Sequence, residues 1–449
     1  MKRLFLLAAA ALATICGVQA QEAEVNQYGQ KVTSIPVNAS VQDGILVFQN
    51  KEANYKMWFD VRLQGDAAAY FGYDENFTKI GNGMSLRRTR FAVKTQIDEN
   101  WYAEFDTDWT SGTPEIKDAI LQYDGIENLQ IKMGNFKENF SIQRNTTSRY
   151  LQFMERPMVT YLAPSRHLGI NFRYNTPALW ASFGVFGPEL KGAEEQEYME
   201  NANKKAGASE GLSYTGKLVW RPLHKMDNGS LHIGAAVSYR NPKTTSTDGY
   251  GIGRFSTRCG TSVNRKKFID TDDILNLDHE LAYTVELAGH YEALRYEAAY
   301  IARTAYVTDG KGPQTADGWY VQAGYMLFGG KQNYDAGGAK YTRVKRGQDW
   351  GDVELCARFE RADFNTENYF GGACNAYTLG VNFYPIENVK LMINYQYNDL
   401  DAFANGKDDY YVGYDSTGAK TKDGFEVDPS KGGVGIDHHM IACRFQVAF

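Results

Sequence analysis

Residues 436–449, IDHHMIACRFQVAF, constrain this chain more than any other stretch. Ile441, Cys443, Phe445, Val447 and Phe449 place an apolar side chain at every second position. Met440, Ala442, Arg444, Gln446 and Ala448 fall between them, so the arginine and the glutamine share the other face. Successive side chains of a β-strand point to opposite sides of its sheet. The alternation therefore predicts a strand with one oily face, turned to lipid or to a core, and one polar face.

A chain ending on phenylalanine after such a run resembles the C-terminal assembly signal of bacterial outer-membrane β-barrels. The opposite end agrees. Lys2 and Arg3 precede the apolar run Leu4–Ile15, and Val18-Gln19-Ala20 forms a small-residue cleavage site before Gln21. That is the plan of a secretory signal. The run is shorter than the ~20 residues of a spanning helix. Cys16 follows Thr14-Ile15, a poor lipobox. The expected organisation is a signal at 1–20, cleaved after Ala20, a short periplasmic arm at 21–52, and one domain at 53–449.

Beyond the signal no apolar stretch reaches ~20 residues, and the mean hydropathy is -0.47. Membrane residence then requires a closed barrel, in which alternation spreads the lipid-facing residues thinly. The 30 Tyr and 7 Trp suit the aromatic girdles of such a barrel, and 44 Gly against 11 Pro suits many strands with flexible turns. A net charge of -6 argues against nucleic acid as a partner. Cys259, Cys356, Cys374 and Cys443 are too irregularly spaced for a zinc site. Cys443 is expected toward lipid and Cys356 toward the interior, leaving a Cys259–Cys374 bridge between surface loops open.

About sixteen alternating segments follow one another without a compositional break. Short turns are expected at Asp98–Asn100, Asp124–Asn128, Asn175–Pro177, Pro222–Gly229, Glu292–Ala293 and Pro385–Asn388. Long connections are expected at Gly72–Gly83, Lys137–Arg166, Pro188–Gly211, Asn241–Asp278, Val307–Ala316, Phe364–Gly372 and Asp401–Gly435. Short periplasmic turns opposite long external loops are the asymmetry of an outer-membrane barrel. Gly330–Trp350 is the exception, a long segment on the short-turn side. The fold class is thus an all-β transmembrane antiparallel barrel of about 16 strands. Side chains alone do not fill so wide a barrel, so the polar faces are expected to line a wet lumen.

By this facing Arg62, Arg88, Arg90 and Lys94 point inward from the first two strands, where Leu86-Arg87-Arg88-Thr89-Arg90-Phe91 concentrates three arginines. The third external loop brings Lys137, Arg144, Arg149, Arg156 and Arg166 against Glu138 and Glu155. It also holds Phe140, Tyr150, Leu151, Phe153, Met154, Val159, Tyr161 and Leu162, anchors that a solvated loop does not need. A loop folded into the lumen would need them. Rings of basic side chains in a low-dielectric wall select for anions. The plainer alternative is a polar lining whose charges are merely paired.

KDAILQYDG, IKMGNFKENFS, TTSRYLQFMERP and LAPSRHLGI, within 118–170, and the upstream LRRTRFAVKTQIDENWYAEFDTDW resemble the phosphate-selective porin O/P family. Weaker likeness lies in YTRVKRG and GDVELCARF. The resemblance implies trimeric sixteen-stranded barrels, with the third loop folded inward and early-strand arginines making an anion constriction. It singles out Arg62, Arg88, Arg90 and the loop basics. Only Lys217, Arg221 and Arg240 continue the arginine staircase of selective members, and carboxylates share the lumen. The function expected is passive diffusion of small, preferably anionic solutes such as phosphate across the outer membrane. A non-selective general porin is the alternative, and a barrel enzyme the more distant one. Gly207-Ala208-Ser209-Glu210-Gly211 matches G-x-S-x-G, but in a polar loop rather than on a strand-to-helix turn. The expected partners are small anions, outer-membrane lipid and two further copies of the chain, with no cofactor, metal or catalytic residue.

Overall fold

The computed structural model describes residues 28, 30, 36–42, 44–52, 54–190, 204, 207, 209–242 and 251–449; the expected signal at 1–20 lies outside them. An N-terminal hairpin, β1 (Asn38–Gln42) and β2 (Ile45–Asn50), leads into the wall. The first half of the wall is β3 (Tyr55–Phe71), β4 (Gly83–Ile97), β5 (Trp101–Asp108), β6 (Glu115–Ile126), β7 (Leu129–Lys137), β8 (Arg166–Asn175), β9 (Leu179–Phe186) and β10 (Ser213–Trp220). The second half is β11 (Gly229–Arg240), β12 (Ile274–Tyr291), β13 (Leu294–Val307), β14 (Pro313–Met326), β15 (Asp352–Asn365), β16 (Phe370–Ile386), β17 (Val389–Leu400) and β18 (His438–Ala448).

Each wall strand pairs antiparallel with its chain neighbour, and β18 closes on β3 with Met440 opposite Tyr70, Arg444 opposite Asp66 and Ala448 opposite Arg62. The result is a closed sixteen-stranded barrel. Val61 and Phe449 exchange both backbone hydrogen bonds, at 2.6 and 3.0 Å. Closure matters because an unpaired strand edge has no water to satisfy it in lipid. Where β18 ends, β2 takes over the edge of β3, pairing Val47 with Trp58 and Asn50 with Tyr55. No helix of the described residues is long and apolar enough to cross a membrane.

Along β18 the buried and exposed positions alternate as the sequence predicts, with Ile441, Cys443 and Phe445 exposed and Met440, Ala442 and Arg444 buried. The same holds for β10, β11 and β17. One end of the barrel has tight turns, with Asp98, Asn128 and Glu292 at positive φ. The other carries the long connections. Two of those are shorter than expected: 308–312 and 366–369 are tight, because β14 already starts at Pro313 and β15 and β16 stay paired out to Asn365 and Phe370.

The interior departs from a simple wet lumen. Two segments fill much of it, 138–165 from the long-loop end and 327–351 from the short-turn end. Gly330–Trp350, the apparent exception, folds back inside the wall it connects. There Tyr341 is fully buried: its hydroxyl lies 2.6 Å from the Tyr296 carbonyl and accepts from the Gly289 amide at 2.8 Å. The Arg295 guanidinium sits 3.6 Å from the centre of its ring. The two segments meet where the Tyr341 amide donates to Thr146 Oγ1 at 3.3 Å. Above them Phe255, Phe268, Ile269, Ala404, Val412 and Ile436, from the 241–273 and 401–437 connections, pack with Met158 and Leu162 in one apolar cluster.

Candidate anion passage

The passage begins with an irregularity in β4. Gln64 pairs with Arg88 but Gly65 with Leu86, so Arg87 is an extra residue, a β-bulge. Strict alternation would send Arg87 outward. The bulge turns it toward the interior, where its guanidinium holds both oxygens of Glu155 at 2.5 and 3.0 Å. Arg88 donates to Gln64 Oε1 at 2.7 Å. Arg90 lies 3.0 Å from Asp108 and 3.6 Å from Asp106. On β3, Arg62 donates to Ser148 Oγ at 2.9 Å, with Asp60 at 3.9 Å. Lys94 bridges Asp60 at 2.9 Å and Glu104 at 3.5 Å.

Inward-facing charges on the far wall hold the backbone of 138–165. Glu286 accepts from the Ile142 amide at 2.7 Å, Glu360 from the Met158 amide, and Asn394 Oδ1 from the Met154 amide at 3.0 Å. Arg295 donates to the Tyr150 carbonyl at 3.0 Å and Arg358 to the Glu155 carbonyl at 2.9 Å; Lys390 and Arg444 reach those of Leu151 and Met154. A buried backbone group without a partner costs about 1–3 kcal/mol, so each contact answers a need that the buried segment creates. Arg240, Arg295, Arg358, Lys390 and Arg444 lie on the polar faces, which were expected to line a wet lumen, and are instead almost fully enclosed.

The space left inside the wall lies along β3–β8. Two cavities lie in it. The inner one, toward the short turns, has about 370 Å³ and is lined by Asp60, Arg62, Lys94, Glu104, Lys132, Arg149, Arg173, Lys340 and Arg343 among others. The outer one has about 220 Å³ and is lined by Arg87, Arg88, Lys117, Glu155 and Arg156 among others. Arg90, Lys137, Arg144 and Arg166 line both. All nine residues singled out in the sequence thus border one or both cavities.

Their charge balance separates them. Arg166 grips Asp118 through two bonds of 3.0 and 2.9 Å, and Arg149 pairs with Asp60. Lys137 donates to the Arg144 carbonyl at 3.1 Å, Arg144 to the Ala163 carbonyl at 3.0 Å, and Arg156 to the carbonyls of Gln143 and Thr146 at 2.6 and 2.8 Å. Among the described residues, Arg88, Lys137, Arg144 and Arg156 have only neutral partners. Burial pushes the Arg144 guanidinium down to about 10. Burial and then the neighbouring Arg144 take Arg156 to about 9. Both stay charged near neutrality. Glu138 and Glu155 do not neutralise them: Glu138 binds His167 at 2.7 Å and Arg240 at 2.9 Å, and Glu155 binds Arg87 and Arg444. Burial raises the Glu155 carboxyl, but Arg87, Arg444 and Arg88 outweigh it and hold it well below the ordinary range.

The sequence reading missed Asp60 as the hub for Arg62, Lys94 and Arg149. Lys132 and Arg173 also border the inner cavity, from β7 and β8, and Lys340 and Arg343 were missed because they arrive on the inturned 327–351 segment. YTRVKRG was the available signal there, a basic run with no role in a short turn.

The family model described as phosphate-selective porin O and P matches residues 59–412. Porin O of Pseudomonas aeruginosa is 23% identical over 393 residues, covering 80% of this chain and 86% of its own. An uncharacterized Caulobacter vibrioides protein is 24% identical over 342 residues, covering 74% and 67%. Among solved structures, the anion-selective porin from Comamonas acidovorans superposes with a TM-score of 0.52 at 12% identity, covering 88% of this chain and all of its own. OmpT of Vibrio cholerae gives 0.50 at 11% identity, covering 88% and 98%. Similarity at this level speaks to the barrel fold.

Proposed function

The chain belongs to the phosphate-selective porin O and P family, porins of the outer membrane, and we propose that it passes small anions by diffusion through the space along β3–β8. The observation that carries this reading is the waist shared by the two cavities, where Lys137 and Arg144 have no carboxylate partner among the described residues. Arg88 and Arg156 add two more such cations at the outer side. Cations held close without counter-charge repel one another, and an entering anion relieves that repulsion. A charge-assisted contact contributes roughly 1.5–3 kcal/mol, enough to enrich an anion without trapping it, as conduction requires. Arg62, Arg90, Lys94, Arg149 and Arg166, each already paired, shape the positive field more than they bind.

The permeant class is small inorganic or singly substituted anions, phosphate among them. Porin O and the Comamonas protein are named for a porin and for anion selectivity, in keeping with this reading. The channel role requires no cofactor and no reaction. The same reading gives β1–β2 and the residues before it to a periplasmic arm, and the assembly to a homotrimer. In support of the latter, an outer-wall groove of about 750 Å³ runs beside Ala119 and the exposed side chains of Leu121, Met133, Leu168 and Leu212, an apolar surface open to a neighbouring barrel.

The test is the reversal potential of the purified channel in a planar bilayer under a salt gradient, with chloride and then phosphate as the anion. Anion preference is expected with both. Cation preference overturns the reading, and equal permeability establishes the non-selective porin in its place.

A further inference from the structure

Cys259 and Cys374 lie 115 positions apart in sequence and meet in the roof of the barrel. Cys259 sits near the tip of the 241–273 connection, whose two arms are paired at Ser256–Asp270 and Thr257–Ile269. Cys374 lies on β16, between Ala362 of β15 and Leu400 of β17. Both are buried in one apolar cluster with Phe268, Ile436 and Met440. The connection lies against β16 there: a Cβ on Gly371 would come within 3.1 Å of the Thr271 amide, and the Cys259 side chain reaches toward the Cys374 thiol; both cysteines are free. The backbone holds Cys259 there: Gly260 turns at φ +70, so close to β17 that a Cβ would collide with the Gln396 side chain. Cys356 is buried elsewhere, against the Gln152 carbonyl, and Cys443 faces outward.

We propose that Cys259 and Cys374 form a disulfide in the mature protein, tying residues 251–273 to the wall as a fixed roof over the passage. An outer-membrane protein matures in an oxidising compartment, where such bonds form and persist. The oxidant, by class, is the disulfide of a periplasmic dithiol–disulfide oxidoreductase. One cysteine thiolate attacks it to give a mixed disulfide. The second thiolate then displaces the oxidoreductase sulfur, so the S–S bond forms, two protons leave, and two electrons reduce the oxidoreductase to its dithiol. Both sulfurs are enclosed in the finished barrel, so the exchange precedes docking of the connection.

The test starts from full-length protein extracted from outer membranes without reductant, alkylated with N-ethylmaleimide in denaturant and digested. Mass spectrometry is expected to find the Cys259 and Cys374 peptides joined, two hydrogens lighter than their sum, with Cys356 and Cys443 alkylated. Alkylation at all four, or a bridge to another cysteine, overturns the proposal. As a second measurement, C356S/C443S protein is denatured and run with and without reductant. A more compact band without reductant is expected, and identical mobility overturns the proposal.

Discussion

At the scale of single residues, charges in the passage fall into two groups that respond oppositely to mutation. Arg144 and Arg156 have neutral partners, so Arg144→Ala or Arg156→Ala removes free positive charge. Each is expected to lower anion-over-cation permeability several-fold, the order implied by losing about 1–2 kcal/mol at an anion site, with barrel yield unchanged. Bilayer reversal potentials check this, and an unshifted potential in a folded R144A/R156A double variant would make them mere lining. Asp60 is the converse case. It compensates Lys94, Arg149 and Arg62 at once, so Asp60→Asn leaves Arg149 and Arg62 without a carboxylate while Lys94 keeps Glu104, and is expected to raise anion preference. A fall in the same measurement would refute that assignment.

At the scale of elements, the decisive interaction is between the 138–165 segment and the wall. Its anchors include Glu155 and Glu138, both outside the strands and both held below the ordinary glutamate range despite burial, by Arg87 and Arg444 for the first and chiefly by His167 and Arg240 for the second. A depressed carboxyl stabilises the docked state above its unfolded pKa, and that contribution is lost as pH falls through the folded one. The part of docking that rests on these two carboxylates should therefore be constant from neutrality down to about pH 4.5, the ordinary glutamate value, and be lost only in stronger acid. Single-channel recordings are expected to stay quiet to that point and then become noisy. Noise appearing first on the alkaline side would contradict the sign. The 327–351 segment offers a second test. Tyr341 anchors it by hydroxyl, amide and ring, so Tyr341→Ala should release it and enlarge conductance in an otherwise folded barrel. Unchanged conductance would mean that the segment stays in place without this anchor.

At the scale of the whole molecule, the barrel behaves as a wall with an interior scaffold rather than as an open tube. Inward carboxylates and cations on β12–β18 serve the backbone of the docked segment, and the two cavities, and with them the proposed passage, lie on the β3–β8 side. Selectivity should therefore depend on those strands and the segments facing them, and be indifferent to isosteric changes on the sealed side that preserve docking. The outward groove beside Ala119 lies on the same side, so a trimer would gather the three passages near its axis. Light scattering of the protein in mild detergent is expected to give three copies per particle, and a uniform monomer would exclude it.

The strand plan was legible because each wall strand obeys a local rule: one side of the sheet meets lipid and the other does not. Phe445 and Arg444 are told apart by position alone. The nine candidate residues were proposed for the same reason, as cations on inward positions or in one anchor-rich loop. Arg87 was not, because a bulge is an extra residue in a paired strand and alternation has no place for it. Nor were the pairings that decide function. Whether Arg90 meets Asp106, Glu155 meets Arg87, or Arg144 meets only a carbonyl depends on contacts between distant parts of the chain. Local pattern carries no record of them. The sequence by itself determined a closed barrel with a charged interior. Only the tertiary structure decided which of those charges are spent holding two inturned segments and which remain free to meet an anion, because a charge is neutralised by what lies near it in space.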